Sequence, residues 1–276
     1  MNIGLIGYGF VGKATKILEC DNVNFFVYDI NPDLCDPKDT TLEKVSDCDL
    51  VFIAVPTPLD NNNNCHTNIV ESVVNSLREY NSDCKIVIRS TVPPGTSKRL
   101  NCGFMPEYLT EKNFMNDFIN ATEWTIGSND PILIESFNKL INYSYNSNKI
   151  KNNKVYVVES ETAETVKYTK NTFLALKVSF FNEIYDFCEK KNINFNSVRE
   201  LVTMDNRIGS SHSNCPGHDG KRGYGGTCLP KDSKSFLSEF EKNNVPSYLI
   251  KSCVERNDNL DRVEEDWKND KGRSTV

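Results

Sequence analysis

At 276 residues the chain is long enough to bury a full core and to divide into two domains. Its net charge of −6 argues against nucleic acid or an anionic membrane as a partner, while leaving room for local basic clusters that hold a phosphorylated ligand. No apolar run approaches the ~20 residues of a membrane span, and the opening run is too short and glycine-broken for a signal peptide, so a cytoplasmic location is expected.

Met1 to Gly12 reads MNIGLIGYGFVG, a short apolar strand followed by Gly7-Tyr8-Gly9-Phe10-Val11-Gly12. This fits G-x-G-x-x-G between a buried strand and a helix. Gly7 permits the tight turn, Gly9 lets a pyrophosphate approach the backbone, and Gly12 allows the helix to pack on the sheet. The helix start at Phe10 and Val11 supplies free N–H donors and a partial positive charge. The apolar run 23–28 ends in Asp29, an acid at the spacing that meets ribose hydroxyls. Asp29 would repel a 2′-phosphate, and no Arg or Lys follows within several residues, which selects NAD over NADP.

Further short apolar runs at 49–55, 85–89, 101–105, 124–127 and 154–158 alternate with helical segments, the rhythm of a doubly wound sheet. Pro56-Thr57-Pro58 and the loop from Ser90 through Thr91 to Thr96 leave the carboxyl ends of strands, where such folds bind ligands. The prolines serve equally well as plain strand terminators. The ten cysteines fall at irregular spacings with no C-x-x-C, which predicts reduced, structural thiols and no metal site.

From Glu161 to Lys191, apolar residues including Val166, Phe173, Phe180 and Phe187 recur at helical spacing, predicting one long helix. Lys167 and Asn171 stand four apart on it and share a face. Such a pair can polarise a carbonyl or hold an alkoxide, although a solvated helix face carries the same residues. Gly223 to Asp232 then reads GYGGTCLPKD, placing Cys228 between glycines and Lys231-Asp232. A thiol of pKa about 8.5 becomes a nucleophile at neutral pH when a nearby ammonium stabilises its anion.

GYGFVG, VPTP, STVPPGT, MPEYLTE, the helix segment AETVKYTKNTFLALKVSFFNE, RIG at 207–209 and GYGGTCLPKD occur in this order over nearly the whole chain. Together they resemble the UDP-glucose/GDP-mannose dehydrogenase family. The resemblance implies an N-terminal Rossmann-type domain over 1–160, an all-helical central domain over 161–254 carrying the cysteine loop, and a polar segment over 255–276. It also implies a four-electron oxidation of a nucleotide sugar at C6, with two NAD molecules reduced in succession. A cysteine is needed because an aldehyde gives up a hydride only after a nucleophile has added to it.

By the same resemblance Cys228 is the nucleophile, Lys167 and Asn171 stabilise oxyanions, and Asp232 moves protons with a water. Glu107 assists thioester hydrolysis, while Thr91 and Glu111 position the cofactor or the water. Pro56 and Thr57 belong to the cofactor site, and Tyr108, Leu109, Tyr224 and Gly225 to the sugar site. Arg207 resembles an arginine that reaches the sugar site of a neighbouring subunit, so a homodimer built on the long helix is expected. The histidines His66, His212 and His218 match no catalytic role.

The resemblance further implies a second α/β domain that grips the nucleotide in relatives, and none is expected within these 276 residues. The loop 210–222, with Lys221 and Arg222, is read either as a substitute grip for the pyrophosphate or as a mobile surface loop. Thr227 before the cysteine and the RIG segment favour UDP-glucose, with UDP-glucuronate as product. GDP-mannose is the enzymatic alternative, and a catalytically dead NAD-binding scaffold the non-enzymatic one.

Overall fold

The computed structural model describes residues 1–276, whose contacts divide into two units. The first comprises Met1–Thr57 and Thr67–Lys167, the second Pro58–His66 and Tyr168–Val276.

In the first unit β1 (Asn2–Ile6), β2 (Asn24–Tyr28), β3 (Leu50–Ile53), β4 (Ile86–Ile88), β5 (Gly103–Phe104), β6 (Trp124–Gly127) and β7 (Val155–Val158) form one sheet. Its order is β2-β1-β3-β4-β5-β6-β7. Between the strands run α1 (Phe10–Thr15), α2 (Leu42–Ser46), α3 (Asn68–Tyr80), α4 (Thr96–Arg99), α5 (Phe114–Ile119) and α6 (Pro131–Asn146). Neighbouring strands are parallel except β5 and β6, a reversal that the alternating pattern does not announce. Ile3, Leu5, Leu50 and Phe52 enter the core on one face of the sheet, and Ile6, Val51 and Ile53 the core on the other. Side chains alternate along a strand, so a sheet covered on both faces needs the continuous apolar runs seen here. On α3, Val70, Val74 and Leu77 are buried at i, i+4 and i+7. Asp130 caps α6 by accepting from the Ile132 and Leu133 N–H groups, with Pro131 in the first helical position.

The long helix α7 (Ser160–Lys191) runs from the first unit into the second, which adds α8 (Phe195–Thr203), α9 (Cys228–Lys242) and α10 (Tyr248–Arg256). Phe181, Cys188, Phe195 and Cys215 form one of its cores, and Ala175, Tyr224 and Cys253 another. The division differs from the expected boundary after residue 160 in two ways. The first turns of α7 cluster with the sheet, and the loop 58–66 clusters with the helices. That loop is drawn there by the chain's end: the Leu59 N–H donates to Ser274 O at 2.8 Å and the Val276 N–H to Leu59 O at 3.0 Å. Ser238 on α9 adds a 2.6 Å bond to Asn64. The polar segment 255–276 is built into the second unit, with Trp267 and Ser274 buried.

Candidate active site

Gly7 opens the glycine loop at φ +90°, and a Cβ there would meet Ala54 O at 2.5 Å. A Cβ on Gly12 would meet Gly7 O at 2.1 Å. Both positions are therefore closed to larger residues. Gly9 has nothing within 4 Å of its missing Cβ and precedes α1 without a side-chain cap, a helix start whose dipole favours an anion. Asp29, beyond the end of β2, accepts from the Tyr8 N–H at 2.8 Å and the Asn31 N–H at 2.9 Å. The acid is thus tied to the loop it is expected to serve. These features fit a dinucleotide with unphosphorylated ribose hydroxyls.

The loops after β3 and β4 are bonded to each other. Thr57 Oγ1 donates to Thr91 O at 2.8 Å, and Ser90 Oγ to Val55 O at 2.6 Å. Pro56 is exposed beside them. Glu164, unremarked in the sequence, accepts from the Gly95 and Ser97 N–H groups at 2.6 and 2.8 Å and anchors the second loop. Burial raises its pKa against those donors.

Beyond β5, Glu107 is 6% exposed and accepts from Lys167 Nζ at 2.5 Å and from the Leu109 N–H at 2.9 Å. Tyr108 and Glu111 are exposed. Burial of the phenol, opposed by a hydrogen bond with Thr125, lifts the Tyr108 pKa to about 12.

In the second unit Cys228 is the first residue of α9, an element the glycine- and proline-bearing motif did not announce. A helix start favours negative charge, as a thiolate requires. One turn on, Asp232 is 1% exposed and its two oxygens are divided: Lys231 donates to Oδ1 at 2.5 Å and Asn171 to Oδ2 at 2.6 Å. Burial works to lower the Lys231 pKa, but Asp232, with Cys65 and Cys228, outweighs it and keeps the ammonium charged.

The turn before Cys228 is fixed from outside the motif. Asn257 accepts from the Tyr224 N–H at 2.8 Å and donates to Tyr224 O at 3.2 Å. Asn182 accepts from the Gly223 N–H at 3.2 Å. The Tyr224 ring is itself buried, with its hydroxyl near Cys253. A Cβ on Gly225 would meet the Arg262 guanidinium at 2.5 Å, so that face is already covered.

Lys221 is paired with Asp266 at 2.7 Å and Glu264 at 3.0 Å, and Arg222 with Asp186 and Asp261 at 2.7 and 2.9 Å. Both basic residues of the candidate pyrophosphate loop are therefore engaged by this chain's own acids. Arg207, 89% exposed, is bonded to Asp205 and lies apart from Cys228 in sequence, after α8. Asn182, Asn257 and Arg262 carry no local sequence signal for this turn, because the residue each holds in it or in the loop before it lies more than thirty residues away.

A model described as the NAD binding domain of the UDP-glucose/GDP-mannose dehydrogenase family matches residues 37–146, and one for that family's central domain matches residues 161–259. The UDP-glucose 6-dehydrogenase of Campylobacter jejuni is 32% identical over 94% of this chain and 72% of its own length. That of Streptococcus pneumoniae is 30% identical over 93% of this chain and 73% of its own. A solved UDP-glucose dehydrogenase from Pyrobaculum islandicum shares the fold at a TM-score of 0.80 and 23% identity, over 93% of this chain and 68% of that one. The glycine loop, the acid after β2 and these matches define an NAD-dependent dehydrogenase. The chain belongs to the UDP-glucose/GDP-mannose dehydrogenase family, whose reaction is the oxidation of a nucleotide sugar.

Proposed function

We propose that this dehydrogenase oxidises UDP-glucose at C6 to UDP-glucuronate through a Cys228 thioester. The observation that carries the reading is the Asp232 carboxylate held between Lys231 and Asn171, one turn into the helix that Cys228 opens. A nucleophile, a buried ammonium and a fixed proton acceptor are the parts that carbonyl addition needs.

NAD supplies the hydride acceptor, two molecules per sugar. In the first oxidation Asp232, through a bound water, takes the C6 hydroxyl proton while Lys167 and Asn171 stabilise the alkoxide. Cys228 then adds to the aldehyde carbon, its thiol proton passes to the new alkoxide, and a thiohemiacetal results. Loss of the second hydride and of the hydroxyl proton leaves the thioester. Glu107 takes a proton from water as its oxygen attacks the acyl carbon, the C–S bond breaks, and the carboxylate departs with Cys228 restored. Thr91 and Glu111 position cofactor or water, and the backbone of Tyr108 and Leu109 meets the sugar, with Tyr224 and Gly225 assigned to the same sugar site.

Residues 1–160 serve as the NAD domain and the helical region as the sugar and assembly domain. On α7, Phe173, Phe180 and Phe187 recur every seven residues, each more than half exposed, with Leu201 exposed on α8 and Met204 exposed at its C-terminal cap. Stripes of this kind support a homodimer, in which Arg207 reaches the partner's sugar site. Ten free cysteines and NAD dependence support a cytoplasmic setting. NADH formation on UDP-glucose and on GDP-mannose, measured side by side, tests the substrate: faster turnover of GDP-mannose would overturn the assignment.

A further inference from the structure

Arg89 follows β4 directly and is 1% exposed. Its N–H donates to Ile53 O at 2.8 Å, locking the residue to the sheet. A guanidinium carries a permanent charge and five donors, and when buried it ordinarily faces a carboxylate. Arg89 forms no hydrogen bond to one: Nη1 donates to Met105 Sδ at 2.9 Å, the group lies 5.6 Å from the Phe118 ring centroid, and Nε is buried without a hydrogen-bond partner. A charge so poorly compensated costs stability, which makes its retention informative.

The charge it faces is Glu107. Pairing of Ile88 with Phe104 sets Arg89 beside Met105, and Glu107 lies two residues further along the same segment. Burial pulls the Arg89 pKa down to about 10, Glu107 pulls it back up, and the group remains a cation at neutral pH. Glu107 is at the same time bonded to Lys167. Two buried cations therefore act on one buried carboxylate, Lys167 through a hydrogen bond and Arg89 through its charge alone.

Under the proposed function Lys167 has two tasks, neutralising Glu107 and stabilising an oxyanion. It cannot serve both in full at once. We propose that Arg89 is a positioning residue for Glu107, a fixed second cation whose charge holds the carboxylate in place for thioester hydrolysis while Lys167 serves the reacting oxygen. The inference rests on the role proposed for Glu107.

A double-mutant cycle on the purified enzyme tests it, using Arg89→Met, Glu107→Gln and the pair, with Arg89→Lys as the charge-retaining control. With UDP-glucose and NAD, Arg89→Met is expected to lower kcat by about tenfold with both KM values within about twofold, and to accumulate acyl-Cys228 in acid-quenched mass spectra. Arg89→Lys should recover most of the rate, and Arg89→Met should add no further loss in the Glu107→Gln background. Independent, multiplying losses, or an equal loss in Arg89→Lys, would overturn the role of Arg89. An unimpaired Glu107→Gln enzyme would instead overturn the reading of Glu107 on which the inference stands. NAD binding by each variant confirms folding, and Arg89→Gln replaces Arg89→Met in the cycle if the latter does not fold.

Discussion

Lys167 Nζ donates to Glu107 Oε1 at 2.5 Å, with side chains 3% and 5% exposed, although 60 residues of sequence separate the two. Removing one member of such a pair strands the other charge in a low-dielectric setting. Lys167→Met should destabilise the protein by about 3–5 kcal/mol in urea denaturation, and Lys167→Met with Glu107→Gln by clearly less. Equal losses in the single and double variants would show that the pair is not coupled.

The ion pairs of Lys221 and Arg222 lead to a second expectation. Because both side chains are held by this chain's own acids, replacing both with Ala should leave the KM for UDP-glucose within about twofold while lowering Tm by several degrees. A large rise in KM with Tm unchanged would restore the pyrophosphate role to this loop.

Hydrogen bonding from Arg262 holds the Asp266 carboxyl at about 2, against opposing burial and with Lys221 adding to the effect. The folded value lies below the unfolded 3.8, so folding favours the ionised form. Its contribution is complete above the unfolded value and is lost as pH falls toward the folded one. Asp219, lowered by Arg262 against burial, acts in the same direction, whereas Asp261 is raised by burial and opposes. Between about pH 4 and pH 2, Tm should fall less steeply in Asp266→Asn than in the parent protein. An unchanged slope would remove Asp266 from the acid response.

The aromatic stripe on α7 gives the assembly prediction. Phe180→Glu should convert a dimer into a monomer in sedimentation velocity, since a carboxylate in an apolar contact is costly to desolvate. A variant that sediments as the parent does would move the interface off this helix.

The sheet was legible because its strands are short and dominated by apolar residues, as at Leu50–Ile53, and α7 because its apolar residues keep a helical period over 32 residues. The cofactor loop was legible because Gly7 and Gly12 occupy positions that no larger side chain can take. The start of α9 was hidden by Gly225, Gly226 and Pro230, which read locally as a turn, and Pro230 proves to be an early helical residue. The placement of 58–66 was hidden because its partners, Ser238, Ser274 and Val276, lie at the far end of the chain. Arg89 was hidden for a different reason: within IVIRST it reads as the polar end of a strand, and only its burial sets it apart.

The central claim is a four-electron oxidation through Cys228, and the most direct test is NADH formed per UDP-glucose consumed at limiting sugar, with Cys228→Ser run beside it. The account predicts two NADH per sugar in the parent protein and loss of that turnover in the variant. One NADH per sugar, or two in both proteins, would contradict it.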